Sequence, residues 1–134
     1  MKFEGIYTPA VTPLDPAGHI DNAAFADVIE SLIEAKVHGI IAQSAQERFD
    51  LGAFAKQVIG TRLPLIIGTG ATRTEDSVEY AKAAKEIGAD AILVSSPPYA
   101  LPTERENAVH ALTVDRAANL PIMLYNYPVR MGVM

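Results

Sequence analysis

The sequence predicts an α/β fold built from about five parallel βα units, and three observations carry that expectation. Short apolar runs, each followed by an amphipathic stretch, recur along the whole chain, which is the pattern of βαβ units and a parallel sheet. The apolar runs are hydrophobic throughout rather than alternating, as expected for strands covered on both faces. No linker, low-complexity tract or shift of composition divides the 134 residues, so a single domain spanning 1–134 is expected.

The elements follow in order. Gly5 to Thr12 reads as a first strand, ended by the turn residues Asp15-Pro16-Ala17-Gly18. Asp21 is placed to cap a helix in which Phe25, Val28, Ile29, Leu32 and Ile33 repeat at helical spacing and form one apolar face. Gly39-Ile40-Ile41-Ala42 is the second strand. Ser44-Ala45-Gln46-Glu47 then has the Ser-x-x-Glu form of a capping box, opening a helix to about Ile59. Leu63 to Ile67 is a third strand running into Gly68-Thr69-Gly70, and Thr72 or Thr74 is placed to cap a third helix that ends at Gly88. Ala91 to Val94 is a fourth strand. A proline-bearing loop leads to a second capping box, Thr103-Glu104-Arg105-Glu106, and a helix to about Ala118. Pro121 to Tyr125 is the fifth strand.

A closed (β/α)₈ TIM barrel needs eight strands and typically about 250 residues. Five strands in βα order therefore make a partial TIM barrel, about half of one. Local patterning is the same for a half barrel closed by dimerisation and for a sheet flattened into a doubly wound layer, so both arrangements stay open at this point. Either leaves strand edges and apolar surface that invite pairing, so a homo-oligomer is expected.

Composition excludes several function classes. The net charge is −5, with no cluster of lysine or arginine, so there is no electrostatic footprint for nucleic acid. Cysteine is absent, which excludes disulfides, thiolate metal sites and a cysteine nucleophile. No apolar run approaches the roughly 20 residues of a membrane span, and the N-terminus lacks a signal-peptide layout, so a cytoplasmic location is expected. His19, His38 and His110 lack metal-ligand spacing and read as structural or solvated. Gly68 and Gly70 lack the remaining glycines of a dinucleotide fingerprint and read as a tight turn. Glu75, Asp76, Glu104 and Glu106 fall in first helical turns, where they complement the helix dipole.

Several segments in register resemble the dihydrodipicolinate synthase and N-acetylneuraminate lyase family. They are Gly5 to Pro13 with its Thr-Pro ending, Gly18-His19-Ile20-Asp21, Leu63 to Gly70, Gly88-Ala89-Asp90-Ala91, Ser96-Pro97-Pro98-Tyr99 and Leu124-Tyr125-Asn126-Tyr127-Pro128-Val129-Arg130. The resemblance implies a TIM barrel in which a lysine forms a Schiff base with a 2-keto acid, usually pyruvate, and the protonated imine serves as electron sink. It implies no cofactor. It assigns Tyr125 as a tyrosine that moves protons near the imine, Tyr99 as the loop tyrosine of a proton relay, and Arg130 as a carboxylate-binding arginine. From the residues alone, Tyr125 reads equally as a core tyrosine, Tyr99 as a cover for the sheet end and Arg130 as a solvated cation.

Two departures qualify that assignment. The family's Gly-Thr-Thr-Gly-Glu segment, which holds the keto-acid carboxylate after the second strand, has no counterpart in Ile41-Ala42-Gln43-Ser44. The Schiff-base lysine belongs on a sixth strand that is not among these residues. A substitute would have to be desolvated or set beside another cation, whereas Lys36, Lys56, Lys82 and Lys85 read as helix-surface residues and Lys2 is terminal. The expectation is a lyase-family chain that is inactive alone. The alternatives are a split enzyme completed by a partner chain and a non-catalytic binding or assembly module.

Overall fold

A computed structural model describes residues 2–42 and 48–131, the side chains of Arg48, Arg130 and Met131 excepted. The elements are β1 (Tyr7–Pro9), α1 (Asn22–Glu34), β2 (Gly39–Ala42), α2 (Arg48–Ile59), β3 (Leu65–Gly68), α3 (Thr74–Glu86), β4 (Ala91–Ser95), α4 (Glu104–Ala118), β5 (Ile122–Tyr125) and α5 (Pro128–Met131). The strands lie in the order β1-β2-β3-β4-β5, and each neighbouring pair is parallel. A doubly wound sheet reverses its strand order at a switch point. No reversal occurs here, so the flattened alternative is set aside and the chain forms half of a barrel.

The pleat sorts the side chains into two layers. Ile40, Ala42, Leu65, Ile67, Ile92 and Val94 point outward and join Phe25, Ile29, Leu51, Ile59 and Val114 of the helices in one continuous core. Ile41, Ile66 and Ala91 point the other way and meet Phe3, Tyr7, Leu93 and Met123. Burying a side chain such as Ile67 contributes roughly 1.5–3 kcal/mol, so the outer layer accounts for most of the stability. Gly52 allows α2 to approach this closely: a Cβ there would lie 2.6 Å from Ile87 Cδ1 and 2.9 Å from Ile67 Cδ1. On the inner face, a Cβ at Gly39 would lie 2.5 Å from the Tyr7 ring, its register partner in β1.

The helix ends follow their capping chemistry. Asp21 Oδ1 accepts the Ala24 N–H at 3.0 Å and starts α1. Thr103 and Glu106 form the reciprocal capping box of α4. Asn119 ends that helix in the left-handed region at φ 51°, and Gly88 takes φ 79° just after α3. At the foot of the sheet, Asp90 Oδ2 accepts both the Leu65 N–H at 2.9 Å and Lys56 Nζ at 2.8 Å. One carboxylate thereby joins α2 to the entries of β3 and β4.

Three expectations are corrected. β1 has three residues rather than the span from Gly5 to Thr12. It is an edge strand with only β2 as partner, and beyond the Ala10 N–H bond to the Ile41 carbonyl the chain leaves the sheet. It then forms a turn closed by a Leu14–Ile20 bridge, with Asp15 Oδ1 accepting the Ala17 and His19 N–H groups. β3 begins at Leu65 rather than Leu63. Neither Thr72 nor Thr74 caps α3: the N-cap is Arg73, without a side-chain bond, and Thr74 stands inside the helix with its hydroxyl turned to His110. The Ser44 to Glu47 capping box lies outside the described residues.

Candidate functional site

The C-terminal ends of the parallel strands converge on one concavity, the end at which TIM-barrel sites are built. A cavity of about 440 Å³ is lined by Tyr7 and Pro9 from β1, Ile41 from β2, Gly70 after β3, Leu93 and Ser95 from β4, and Met123 and Tyr125 from β5. Ile41, Leu93 and Met123 of the inner face contribute apolar walls, and the hydroxyl-bearing residues of the lining are Tyr7, Ser95 and Tyr125. Mostly apolar walls with a few polar groups suit a small organic ligand.

Each polar group is placed by the sheet. Tyr125 is the last residue of β5 and pairs in register with Ser95, so both side chains leave the same face. The Tyr125 ring is 42% exposed at the rim, and its centroid lies 6.4 Å from that of Tyr127. Tyr7 is held edge-on by Phe3, with ring centroids 5.7 Å apart. Thr69 is fully buried, its N–H donating to the Leu93 carbonyl at 3.0 Å, which ties the turn after β3 to β4. Gly70 follows, where a Cβ would come within 2.9 Å of Ser95 Oγ. A larger residue there would press on the serine hydroxyl.

Of the residues to which the resemblance gives a catalytic or binding role, Tyr125 lines this cavity. Tyr99 sits in the loop after β4 at φ 64° and is 98% exposed, away from the cavity lining. Arg130 falls in α5, and its side chain lies outside the described residues. Tyr7 and Ser95 were not singled out. The signal that could have found them is positional: each sits at or near the C-terminal end of a strand on the face opposite the helix-facing residues.

No lysine lines the cavity. Lys56 is engaged with Asp90 at the opposite end of the strands, Lys82 pairs with Glu79 at 2.8 Å, and Lys2 pairs with Glu4. Lys36 and Lys85 are exposed. Among the described residues there is no group of acidic or histidine side chains that could hold a metal ion, and no helix is long and apolar enough to cross a membrane.

Comparison with known proteins gives this geometry a context. Residues 2–134 match the Dihydrodipicolinate synthetase family. The chain is 36% identical, over 139 aligned positions, to 4-hydroxy-tetrahydrodipicolinate synthase of Salinibacter ruber, covering 97% of this chain and 46% of that protein. The 4-hydroxy-tetrahydrodipicolinate synthase of Methylacidiphilum fumariolicum superposes with a TM-score of 0.93 at 30% identity, covering 98% of this chain and 47% of that one. A prophage protein of the dihydrodipicolinic acid synthase family from E. coli K12, solved in complex with pyruvate, superposes with a TM-score of 0.92 at 32% identity, with coverage of 98% and 47%. The chain thus spans about half the length of the relatives it matches. With a family match over nearly every residue and five strands in the same arrangement, this chain belongs to the dihydrodipicolinate synthetase family of lyases.

Proposed function

We propose that this chain supplies the N-terminal half of the site of a lyase that makes or breaks a carbon–carbon bond in 2-keto acids such as pyruvate, with the Schiff-base lysine coming from outside these 134 residues. The observation that carries the proposal is the cavity at the strand ends, whose lining includes the hydroxyl-bearing residues Tyr7, Ser95 and Tyr125 and no lysine. The pyruvate bound by the E. coli relative supports the substrate class. In this reading a lysine amine adds to the keto carbon and expels water. The Tyr125 phenol, at the rim, is placed to pass the proton that the departing hydroxyl requires. Arg130 would meet a substrate carboxylate, and Tyr99 is a relay residue that the present loop conformation holds outside the cavity.

The chain alone is expected to be inactive. The five lysines present are at the surface or paired away from the cavity, so none is desolvated as a Schiff-base amine must be. The alignment to the Salinibacter protein runs over 139 positions although this chain has 134 residues, so the relative carries residues with no counterpart here. The reading that the carboxylate-holding loop after β2 is lost draws on Ile41-Ala42-Gln43-Ser44, which lacks the family's segment. The alternative role, a non-catalytic binding or assembly module built as a homo-oligomer, draws on the open edges of β1 and β5. A cytoplasmic location fits the absence of cysteine.

Borohydride reduction in the presence of pyruvate, followed by intact-mass measurement, tests the proposal. The 134-residue chain should show no adduct, and a stoichiometric one would overturn the assignment of the amine to another segment. When the chain is co-expressed with the unmatched part of the Salinibacter relative, an adduct should form on that part. Tyr125→Phe should then slow its formation by on the order of 10²-fold, the scale of a lost general acid.

A further inference from the structure

Ser95 brings a hydroxyl to the strand-end cavity, and the resemblance gives it no role. β4 is apolar from Ala91 to Val94 and ends on this serine. Side chains alternate along a strand, so Ser95 follows Ala91 and Leu93 onto the inner face. Its register partner in β5 is Tyr125, and Leu93 pairs with Met123 one layer below. On the other flank Gly70 lines the same cavity, and a Cβ there would come within 2.9 Å of Ser95 Oγ. The missing side chain at Gly70 leaves the hydroxyl its room. Thr69 Oγ1, nearby, donates to the Leu93 carbonyl at 3.1 Å. Among the described residues no group hydrogen-bonds to Ser95 Oγ. A ligand that fills the cavity strips water from this hydroxyl, and the loss is offset only if the ligand offers a hydrogen-bonding atom in return.

The register indicates which ligand atom that is. In the lyase reading, Tyr125 passes a proton to the oxygen that leaves the keto carbon as water, so that oxygen lies at the end of β5. Ser95 stands at the same level on the neighbouring strand. We propose that Ser95 is a substrate-binding residue of this site, its hydroxyl donating a hydrogen bond to the C2 oxygen of the 2-keto acid beside Gly70. The choice of ligand atom rests on the lyase reading. A neutral donor suits the task, because it polarises the carbonyl without competing for the carboxylate as a cation would. As the amine lone pair forms the N–C2 bond, the carbonyl π pair moves onto the oxygen, and the bond from Ser95 strengthens with the developing charge. Ser95 gives up no proton. The oxygen takes one from the attached ammonium and a second from the Tyr125 phenol, then leaves as water while the nitrogen lone pair closes the C=N bond and a tyrosinate remains.

Pyruvate and propanoate share a carboxylate and a carbon skeleton and differ at the C2 oxygen, so the pair isolates this contact. Each is titrated into the full 134-residue chain, isotope-labelled, while the amide resonances of Ser95 and Tyr125 are followed. Pyruvate should bind about two- to tenfold more tightly than propanoate, the range of one neutral hydrogen bond. Ser95→Ala should lower pyruvate affinity to that of propanoate and leave propanoate binding unchanged, whereas Ser95→Thr, which keeps the hydroxyl, should keep the preference. Gly70→Ala should abolish the preference with Ser95 intact, since its Cβ presses on the hydroxyl. Circular dichroism melts of Ser95→Ala should match the parent, which separates a lost contact from a lost fold. Equal affinity for the two acids, no binding of pyruvate, or a preference that survives Ser95→Ala overturns the proposal. The lyase reading fails separately. A Ser95-dependent preference without a borohydride-trapped adduct in the co-expressed complex counts against the lysine chemistry and leaves the contact standing. An adduct that forms as fast in Ser95→Ala removes the contact and leaves the lyase reading.

Discussion

The two faces of the single sheet meet different fates. Outward-facing residues such as Ile67 and Ile92 are fully buried against four helices, whereas the buried hydrophobic cluster of the inner face, among the described residues, consists of Ile41, Ile66 and Ala91, with Leu93, Met123 and Tyr7 partly open. The difference teaches that the helices following the strands complete the outer core from within these residues. The inner face depends on strands from across the barrel. The chain, which spans about half the length of the relatives it matches, holds the outer contacts within its own residues.

The largest expected effect breaks this contrast at its strongest point. Ile67→Ala should destabilise the chain by about 2–5 kcal/mol in urea unfolding, because the cavity it leaves opens between β3 and the close-packed Gly52 of α2. Asp90→Ala should cost about 1–3 kcal/mol, since the Leu65 N–H and Lys56 lose their shared acceptor at the foot of the outer layer. Thr103→Ala, which removes the α4 cap, should cost about 1 kcal/mol. On the inner face Met123→Ala should cost less than about 1 kcal/mol, since a partly exposed side chain returns little burial. If Met123→Ala and Ile67→Ala proved equal, the inner layer would be closed in solution, and a partner copy would be the first suspect.

Much of this was legible in the sequence because it is local. Asp21 and the Thr103 to Glu106 box mark helix starts by bonds made within three residues, and the structure contains both. Strand order was only half legible. The βα alternation implies parallel strands, but the sheet order, and with it the choice of half barrel over a doubly wound layer, is set by which helices share a face. β1 was overestimated because Val11 and Thr12 read as strand by composition, while an edge strand persists only where its one partner can bond it. The site was less legible still. Tyr125 reached the cavity because strand ends are predictable, whereas Tyr99 stands exposed on the loop after β4, whose path no local pattern specifies. Thr74 looked like a cap by residue type, and its bond to His110, 36 residues away, is a tertiary fact that no local pattern carries.

That bond places a titratable ring beside a cavity between β4, β5 and α4, and it leads to the smallest of the expected effects. Burial holds the His110 imidazole below its ordinary value of 6.5, opposed in part by the Ser95 backbone. The folded chain therefore favours the neutral ring. The resulting stability is fully present above the unfolded-state value near 6.5 and is lost as pH falls through the lower folded-state value. Asp15, Glu30 and Glu106 are also lowered, from 3.8, 4.5 and 4.5, by hydrogen bonds from His19, Arg62 and Thr103 respectively. Their contributions stay intact until the pH approaches the carboxylate range, so the two windows separate. Glu104 at the cavity rim, and Arg105 and Glu106 on the far side of the ring, are the charged neighbours. The melting temperature should decline as the pH falls below about 6.5, and His110→Gln should flatten that decline without changing the steeper fall below about pH 4.5, which belongs to carboxylates. An unchanged slope in His110→Gln would mean that the ring is hydrated in solution, and the outer layer would then be open at its α4 end as well as at its edge.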